Sequence, residues 1–173
     1  MRKLLNSELG RISAEEYGSA EKNRVVIVLD NIRSLLNIGS VFRTADAFRV
    51  EAIYLCGISG TPPHREINKT ALGAAGSVPW KYFADTNEAV AELKERGYTI
   101  IAVEQAEGAT KLSDYRFSRE RQYGIIFGHE LNGVDQKVVD KADTCIEIPQ
   151  SGTKHSLNIA VAAGIVLWEA AGK

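Results

Sequence analysis

Cysteine is scarce in this chain. Cys56 and Cys145 are its only two, too few for a disulfide framework and spaced like no zinc site. The histidines add nothing, because His129-Glu130 is followed at position 133 by glycine, not by the second histidine of a zinc-protease helix. No metal is expected. No G-x-G-x-x-G follows a strand-like run, which removes the dinucleotide fingerprint. Gly152-Thr-Lys-His-Ser156 lacks both the Lys-Ser/Thr pair and the upstream glycine of a phosphate loop. Long apolar runs are missing too: Ile159 to Trp168 is ten residues and includes Gly164, where a membrane helix needs about 20. The basic start Met1-Arg2-Lys3 gives way to polar residues before any apolar core of signal-peptide length. A reducing cytoplasm, with no membrane, is the expected location.

Excess positive charge is also absent, since 21 Lys+Arg stand against 22 Asp+Glu for a net charge of -1. An indiscriminate nucleic-acid binder is normally strongly basic. The charge is nevertheless uneven. Between 31 and 49, Arg33, Arg43 and Arg49 face one acid, Asp46. Between 111 and 123, Lys111, Arg116, Arg119 and Arg121 outnumber Asp114 and Glu120, whereas 84–107 carries six acids and two bases. Ordinary solvated faces would give such a pattern, and so would a local basic surface balanced elsewhere.

What is present is an ordinary globular composition, 45% hydrophobic and 25% charged, which excludes disorder and a coiled coil. The 173 residues suit one domain, with 1–23 as an N-terminal helical extension and 24–173 as the core. In the extension, Leu4, Leu5, Leu9 and Ile12 fall at roughly helical spacing. Strands are expected at 24–30, 51–56, 78–83, 98–103, 122–127 and 144–148. Helices are expected at 39–48, 86–96, 135–141 and 155–171, the last apolar enough to be buried on most sides through Leu157, Val161, Ile165 and Trp168. Strands alternating with helices predict an α/β fold with a mainly parallel sheet.

Three polar segments follow expected strands, at the ends where α/β sheets place their binding crevices. In Asn31–Ala45, Gly39 and Ser40 would open a helix and offer free N–H groups to an anion, with Arg43 one turn on; a capped helix with a surface arginine is the plainer reading. In Phe127–Val134, two glycines flanking Glu130 suggest a tight turn, which a plain βα connection also explains. In Ile148–Ala160, Ser156 could simply cap the last helix. Asn158, if buried, needs a hydrogen-bonding partner.

Together and in this order, the segments resemble the SpoU-type (TrmH-like) RNA methyltransferases of the SPOUT superfamily, which use S-adenosylmethionine to methylate ribose 2′-hydroxyls. The matching residues are Asn37-x-Gly39…Arg43-Thr-Ala, Phe-Gly-x-Glu130-x-x-Gly133 and Ile-Pro…Ser156-Leu-Asn158, within about residues 24–170. Two positions depart from the family pattern: Gln150 replaces the usual Met after Ile-Pro, and Arg49 a usual Gly. Arg49 would add charge near the RNA.

The resemblance implies a C-terminal deep trefoil knot, a homodimer built partly from the last helix, and a tRNA or rRNA substrate. It implies Arg43, Asn37, Glu130, Ser156 and Asn158 as catalytic residues, and Val103, Gly128, Ile148, Ser156 and Leu157 as S-adenosylmethionine contacts. For Arg43 a role in orienting phosphate and stabilising a developing alkoxide suits a permanent cation better than that of a base. RNA contacts are expected from Arg33, Arg49, Arg65, Lys111 and Arg116, with Arg119, Arg121 and Lys69 as further candidates. Two other classes remain open: a non-catalytic RNA-binding module with the same fold, and a small α/β enzyme acting on metabolites.

Overall fold

The structure is a computed structural model and describes residues 1–171; positions 172–173 of the expected core lie outside the described residues. After a 3-10 turn at Asn6–Glu8 come α1 (Ala14–Ser19), β1 (Asn23–Asp30), α2 (Leu35–Ala47) and β2 (Val50–Cys56). Then follow α3 (Arg65–Ala71), α4 (Ala74–Ser77), β3 (Trp80–Phe83), α5 (Thr86–Glu95) and β4 (Thr99–Val103). The chain finishes with β5 (Thr110–Lys111), β6 (Tyr123–Phe127), α6 (Gln136–Val139), β7 (Thr144–Glu147) and α7 (Ile159–Ala171). Every pairing between these strands is parallel, in the order β3-β2-β1-β6-β4-β7-β5.

Central parallel strands are covered on both faces, so they are apolar throughout and do not alternate. In β1, Val25, Ile27 and Leu29 pack with Phe42 of α2, Ile67 of α3 and Val166 of α7. Val26 and Val28 point the other way, toward Val90 and Leu93 of α5 and Val138 of α6. The ends of that sheet therefore carry the polar chemistry. Asp30, at the carboxyl end of β1, is 2% exposed. Its Oδ1 accepts from the Thr86 hydroxyl, and its Oδ2 from Asp135 N–H at 3.1 Å. One buried carboxylate thus pins the starts of α5 and α6 at the edge where the strands end.

Several expectations are corrected. Gly39 does not open a helix: α2 begins four residues earlier, with the Ser34 hydroxyl accepting from Asn37 N–H at 3.2 Å. Gly39 instead lets two helices touch, since a Cβ there would lie 2.2 Å from the Ile67 carbonyl oxygen of α3. The anion site imagined at Gly39 and Ser40 is therefore absent.

The extension does not form a helix through Leu4, Leu5, Leu9 and Ile12, all of which are exposed. Its one helix is α1, closed by a capping box between Ser13 and Glu16 and anchored by buried Tyr17, whose hydroxyl donates to the Val50 carbonyl at 3.3 Å. Helix α7 starts at Ile159 rather than 155 and buries Ile159, Ala163, Val166 and Leu167. Val161, Ile165 and Trp168, expected inside, are on its exposed side, and Leu157, also expected inside, is exposed in the loop before the helix.

Candidate active site

A cleft of about 480 Å³ opens where β4, β6 and β7 end against the start of α7. Val103, Phe127 and Ile148 form its apolar wall, with Ile159 and Ala162 opposite. All five residues expected to hold the cofactor, Val103, Gly128, Ile148, Ser156 and Leu157, line this cleft.

The loop after β6 explains its glycines. His129 N–H donates to the Gly133 carbonyl at 2.9 Å, and Gly133 N–H returns to the His129 carbonyl at 2.8 Å. That closed ring brings Gly133 against Gly128 so tightly that a Cβ on Gly128 would lie 2.1 Å from Gly133 C and Val134 N. Gly133 itself has φ 70°, and a Cβ there would meet the Glu104 carboxylate. Glu104, following β4, holds the loop from the other side by accepting from Val134 N–H at 2.9 Å. Gln105 then donates to the His155 carbonyl at 2.6 Å, tethering the segment that leads to α7.

The ring turns Glu130 toward α2. Its carboxylate accepts from the backbone N–H groups of Ser34 at 3.0 Å and Arg33 at 3.2 Å, where a helix N-terminus favours negative charge. Partial burial pushes the Glu130 carboxyl up, but hydrogen bonds from its own N–H, from Ser34 and Arg33, and from the Asn37 side chain outweigh this and leave it below the ordinary value. From the third segment, Asn158 Nδ2 donates to Asn37 Oδ1 at 3.1 Å. Asn158 Oδ1 meanwhile accepts from Ala160 N–H at 2.9 Å and caps α7. Asn158 is exposed, not buried. Glu130, Asn37 and Asn158, one from each segment, thus form a continuous bridge between the β6 loop, α2 and α7.

Arg43 stands apart from that bridge. It is exposed and lines a second depression of about 390 Å³ between α2, α3 and the start of α7, shared with Lys69. The two hollows meet across residues 158–162: Asn158, Ile159 and Ala162 face the cleft, and Ala160 and Val161 face the depression. Their charges are opposed. Glu104, Glu130 and Glu147 line the cleft without a lysine or arginine, while Arg43 and Lys69 line the depression without an acid.

The expected RNA contacts are scattered. Arg33 lies at the start of α2 and Arg65 begins α3. Lys111 pairs in register with Glu147 beside the cleft, and Arg116 donates to the Ser113 carbonyl at 2.7 Å in the loop beyond. Arg49 directly precedes β2, at the amino-terminal end of a parallel sheet. It is therefore on the opposite end from the cleft, and its expected place beside the active groups is corrected. Asp30, Glu104 and Gln105 escaped sequence reasoning. The signal available was an acid closing an apolar run, Leu29-Asp30 and Val103-Glu104.

Among the described residues no helix is long and apolar enough to cross a membrane, and no cluster of His, Cys, Asp and Glu could hold a metal. The chain as a whole is similar to several known proteins. A tRNA (guanosine(18)-2'-O)-methyltransferase of Thermus thermophilus is 30% identical over 95% of this chain and 82% of its own. A TrmH family protein of Staphylococcus epidermidis is 34% identical over 83% of this chain, which spans only 57% of that relative's length. Among solved structures, the AdoMet-bound rRNA methyltransferase of Sinorhizobium meliloti superposes with TM-score 0.80 at 27% identity, over 86% of this chain and 56% of that one. The A. aeolicus TrmH/SpoU tRNA modifying enzyme gives 0.77 at 26% identity, over 86% and 74%. The α/β fold is thus that of the SpoU methyltransferases, whose knotted arrangement it shares. The family model described as "SpoU rRNA Methylase family" matches residues 24–168, and the chain belongs to that family.

Proposed function

We propose that the chain is an S-adenosylmethionine-dependent methyltransferase acting on a ribose 2′-hydroxyl of tRNA or rRNA, working as one catalytic unit in the cytoplasm. The observation that carries this is the division of charge across residues 158–162. The acidic, apolar-walled cleft suits a cationic cofactor, and the basic depression beside it suits a polyanion.

The cleft fits the cofactor by its chemistry. Val103, Phe127, Ile148 and Leu157 supply a flat apolar slot for adenine. The backbone of Ser156 and Leu157 is tied to no other described residue, leaving main-chain groups for the base and ribose. When bound, S-adenosylmethionine supplies an electrophilic methyl carried on a cationic sulfur. The residues of this chain do the rest. Arg43 would bind the phosphate flanking the target ribose and stabilise negative charge on its 2′-oxygen as the proton leaves to solvent. Asn37 and Asn158 hold α2 against α7, fixing the side of the depression that presents Arg43. Glu130 secures the start of α2, and Ser156 flanks the point where ribose would enter.

The partner is proposed to be a second copy. Val161, Ile165 and Trp168 recur at helical spacing and are exposed by 51%, 38% and 58%, an apolar stripe of the kind that packs against a like surface. The functional test is direct. Calorimetry with S-adenosylmethionine, then Arg43→Ala assayed on bulk RNA, should show the cofactor bound by both proteins and methyl transfer lost from the variant. Absence of cofactor binding by the wild-type protein would leave only the RNA-binding module.

A further inference from the structure

The depression that holds Arg43 contains a second unneutralised cation. Lys69 reaches it from α3, and no acid lines it. Neither the Arg43 nor the Lys69 side chain has a hydrogen-bond or salt-bridge partner among the described residues. Two unpaired cations in one hollow repel each other unless an anion lies between them.

The position of Lys69 is fixed by its neighbours. Thr70 Oγ1 donates to the Leu36 carbonyl of α2 at 2.8 Å. The bare face of Gly39 receives the Ile67 carbonyl. Helix α3 is thereby held in one register against α2, with Lys69 over the same hollow as Arg43. The hydroxyls lining it have their protons committed as well: Ser40 Oγ donates to the Leu36 carbonyl at 2.9 Å and Thr44 Oγ1 to the Ser40 carbonyl at 3.0 Å. What each oxygen still offers is an acceptor site. Two cations and a set of acceptor oxygens match a ribose-phosphate unit, whose phosphate oxygens accept and whose 2′-hydroxyl donates.

We propose that Lys69 is an RNA-positioning residue, which with Arg43 grips the phosphodiester adjoining the ribose presented to the cleft. The Ser40, Thr44 and Thr70 oxygens receive the hydroxyl of the neighbouring ribose. A single cation holds a phosphate but leaves it free to rotate. Cations from two helices fix its orientation, and with it the direction in which the next ribose points. This assignment rests on the reading of the chain as an RNA methyltransferase and adds to it the residue that sets the strand's path.

The test compares wild type, Lys69→Gln and Lys69→Arg, each checked for folding by circular dichroism. Binding of a single-stranded RNA oligonucleotide is measured across a salt series, and methyl transfer across RNA concentration. Lys69→Gln should weaken RNA binding about tenfold and flatten the log-log salt slope by about 0.7, the loss of one phosphate contact. KM for RNA should rise and kcat at saturation should fall, because the ribose is less well aimed, while S-adenosylmethionine affinity holds; Lys69→Arg should restore most of both losses. Unchanged affinity and slope in Lys69→Gln, with methylation intact, would overturn the assignment and leave the methyltransferase reading standing. A slope change in a protein that transfers no methyl would overturn the methyltransferase reading and leave Lys69 as a phosphate contact alone.

Discussion

The side-chain amide of Asn158 donates to the Asn37 carbonyl oxygen at 3.1 Å, across 121 positions of sequence. That bond joins the start of α7 to the first turn of α2, and so the acidic cleft to the basic depression. Asn158 does a second job by capping α7 through Ala160 N–H. Asn158→Ala should therefore cost about 1 kcal/mol of stability, the loss of a cap. Asn37→Ala should cost less but slow methyl transfer comparably. Urea unfolding beside steady-state kinetics separates the two effects.

Glu130 makes stability depend on pH. Its folded pKa is lowered despite partial burial, because backbone N–H groups and Asn37 hydrogen-bond the charged form. A carboxyl with a depressed folded pKa contributes fully above its unfolded value, about 4.3. The contribution fades as pH falls through the folded value. Glu130→Gln should be less stable than wild type near neutrality, and the gap should close in acid. Urea midpoints from about pH 3 to about pH 7 would show it. A constant gap would mean that Glu130 acts through packing alone.

Gly128→Ala should be among the most damaging single changes. The added Cβ meets backbone atoms of Gly133 and Val134 at 2.1 Å, so the loop that carries Glu130 must move. A loss of about 3 kcal/mol or more is expected, together with loss of cofactor binding. Gly152→Ala, with nothing within 4 Å of its Cβ, is the control and should change stability by no more than about 0.5 kcal/mol. Thermal unfolding of both variants, with and without S-adenosylmethionine, makes the comparison.

The exposed stripe on α7 gives an assembly prediction. Ile165 lies between Val161 and Trp168 on that face, whereas Trp168 also packs edge-on against Phe48 at 6.3 Å. Ile165→Glu places a charge in the stripe without disturbing that ring contact. Sedimentation velocity should show a wild-type dimer and a monomeric variant. A wild-type monomer at micromolar concentration would remove the stripe as a self-association surface.

Much of this arrangement was legible in the residues themselves. Strands β1 (Asn23–Asp30) and β4 (Thr99–Val103) bury residues on both faces because helices cover both sides of a parallel sheet, and a short run rich in Val and Ile, not an alternating pattern, reveals them. The segments bearing Asn37, Glu130 and Asn158 were found because polar residues follow such strands. What they do to one another was hidden, since the Asn37–Asn158 bond and the Glu130 contact with Ser34 depend on strands far apart in sequence becoming neighbours. Gly39 misled for a local reason: a glycine beside a serine looks like a helix start, and only the approach of Ile67 shows why a side chain is excluded. Helix α7 is apolar at nearly every position, so its sequence does not say which side faces the core. Charge behaved similarly. A total near zero concealed an acidic hollow and a basic one, sharing a wall made by residues 158–162.

The product of the reaction tests the proposed methyl transfer most directly. RNA from cells lacking this protein, incubated with the purified chain and methyl-labelled S-adenosylmethionine, can be digested to nucleosides and resolved. The label should appear in 2′-O-methylated nucleoside and vanish with Arg43→Ala. Label on a base, or none in RNA at all, would contradict it.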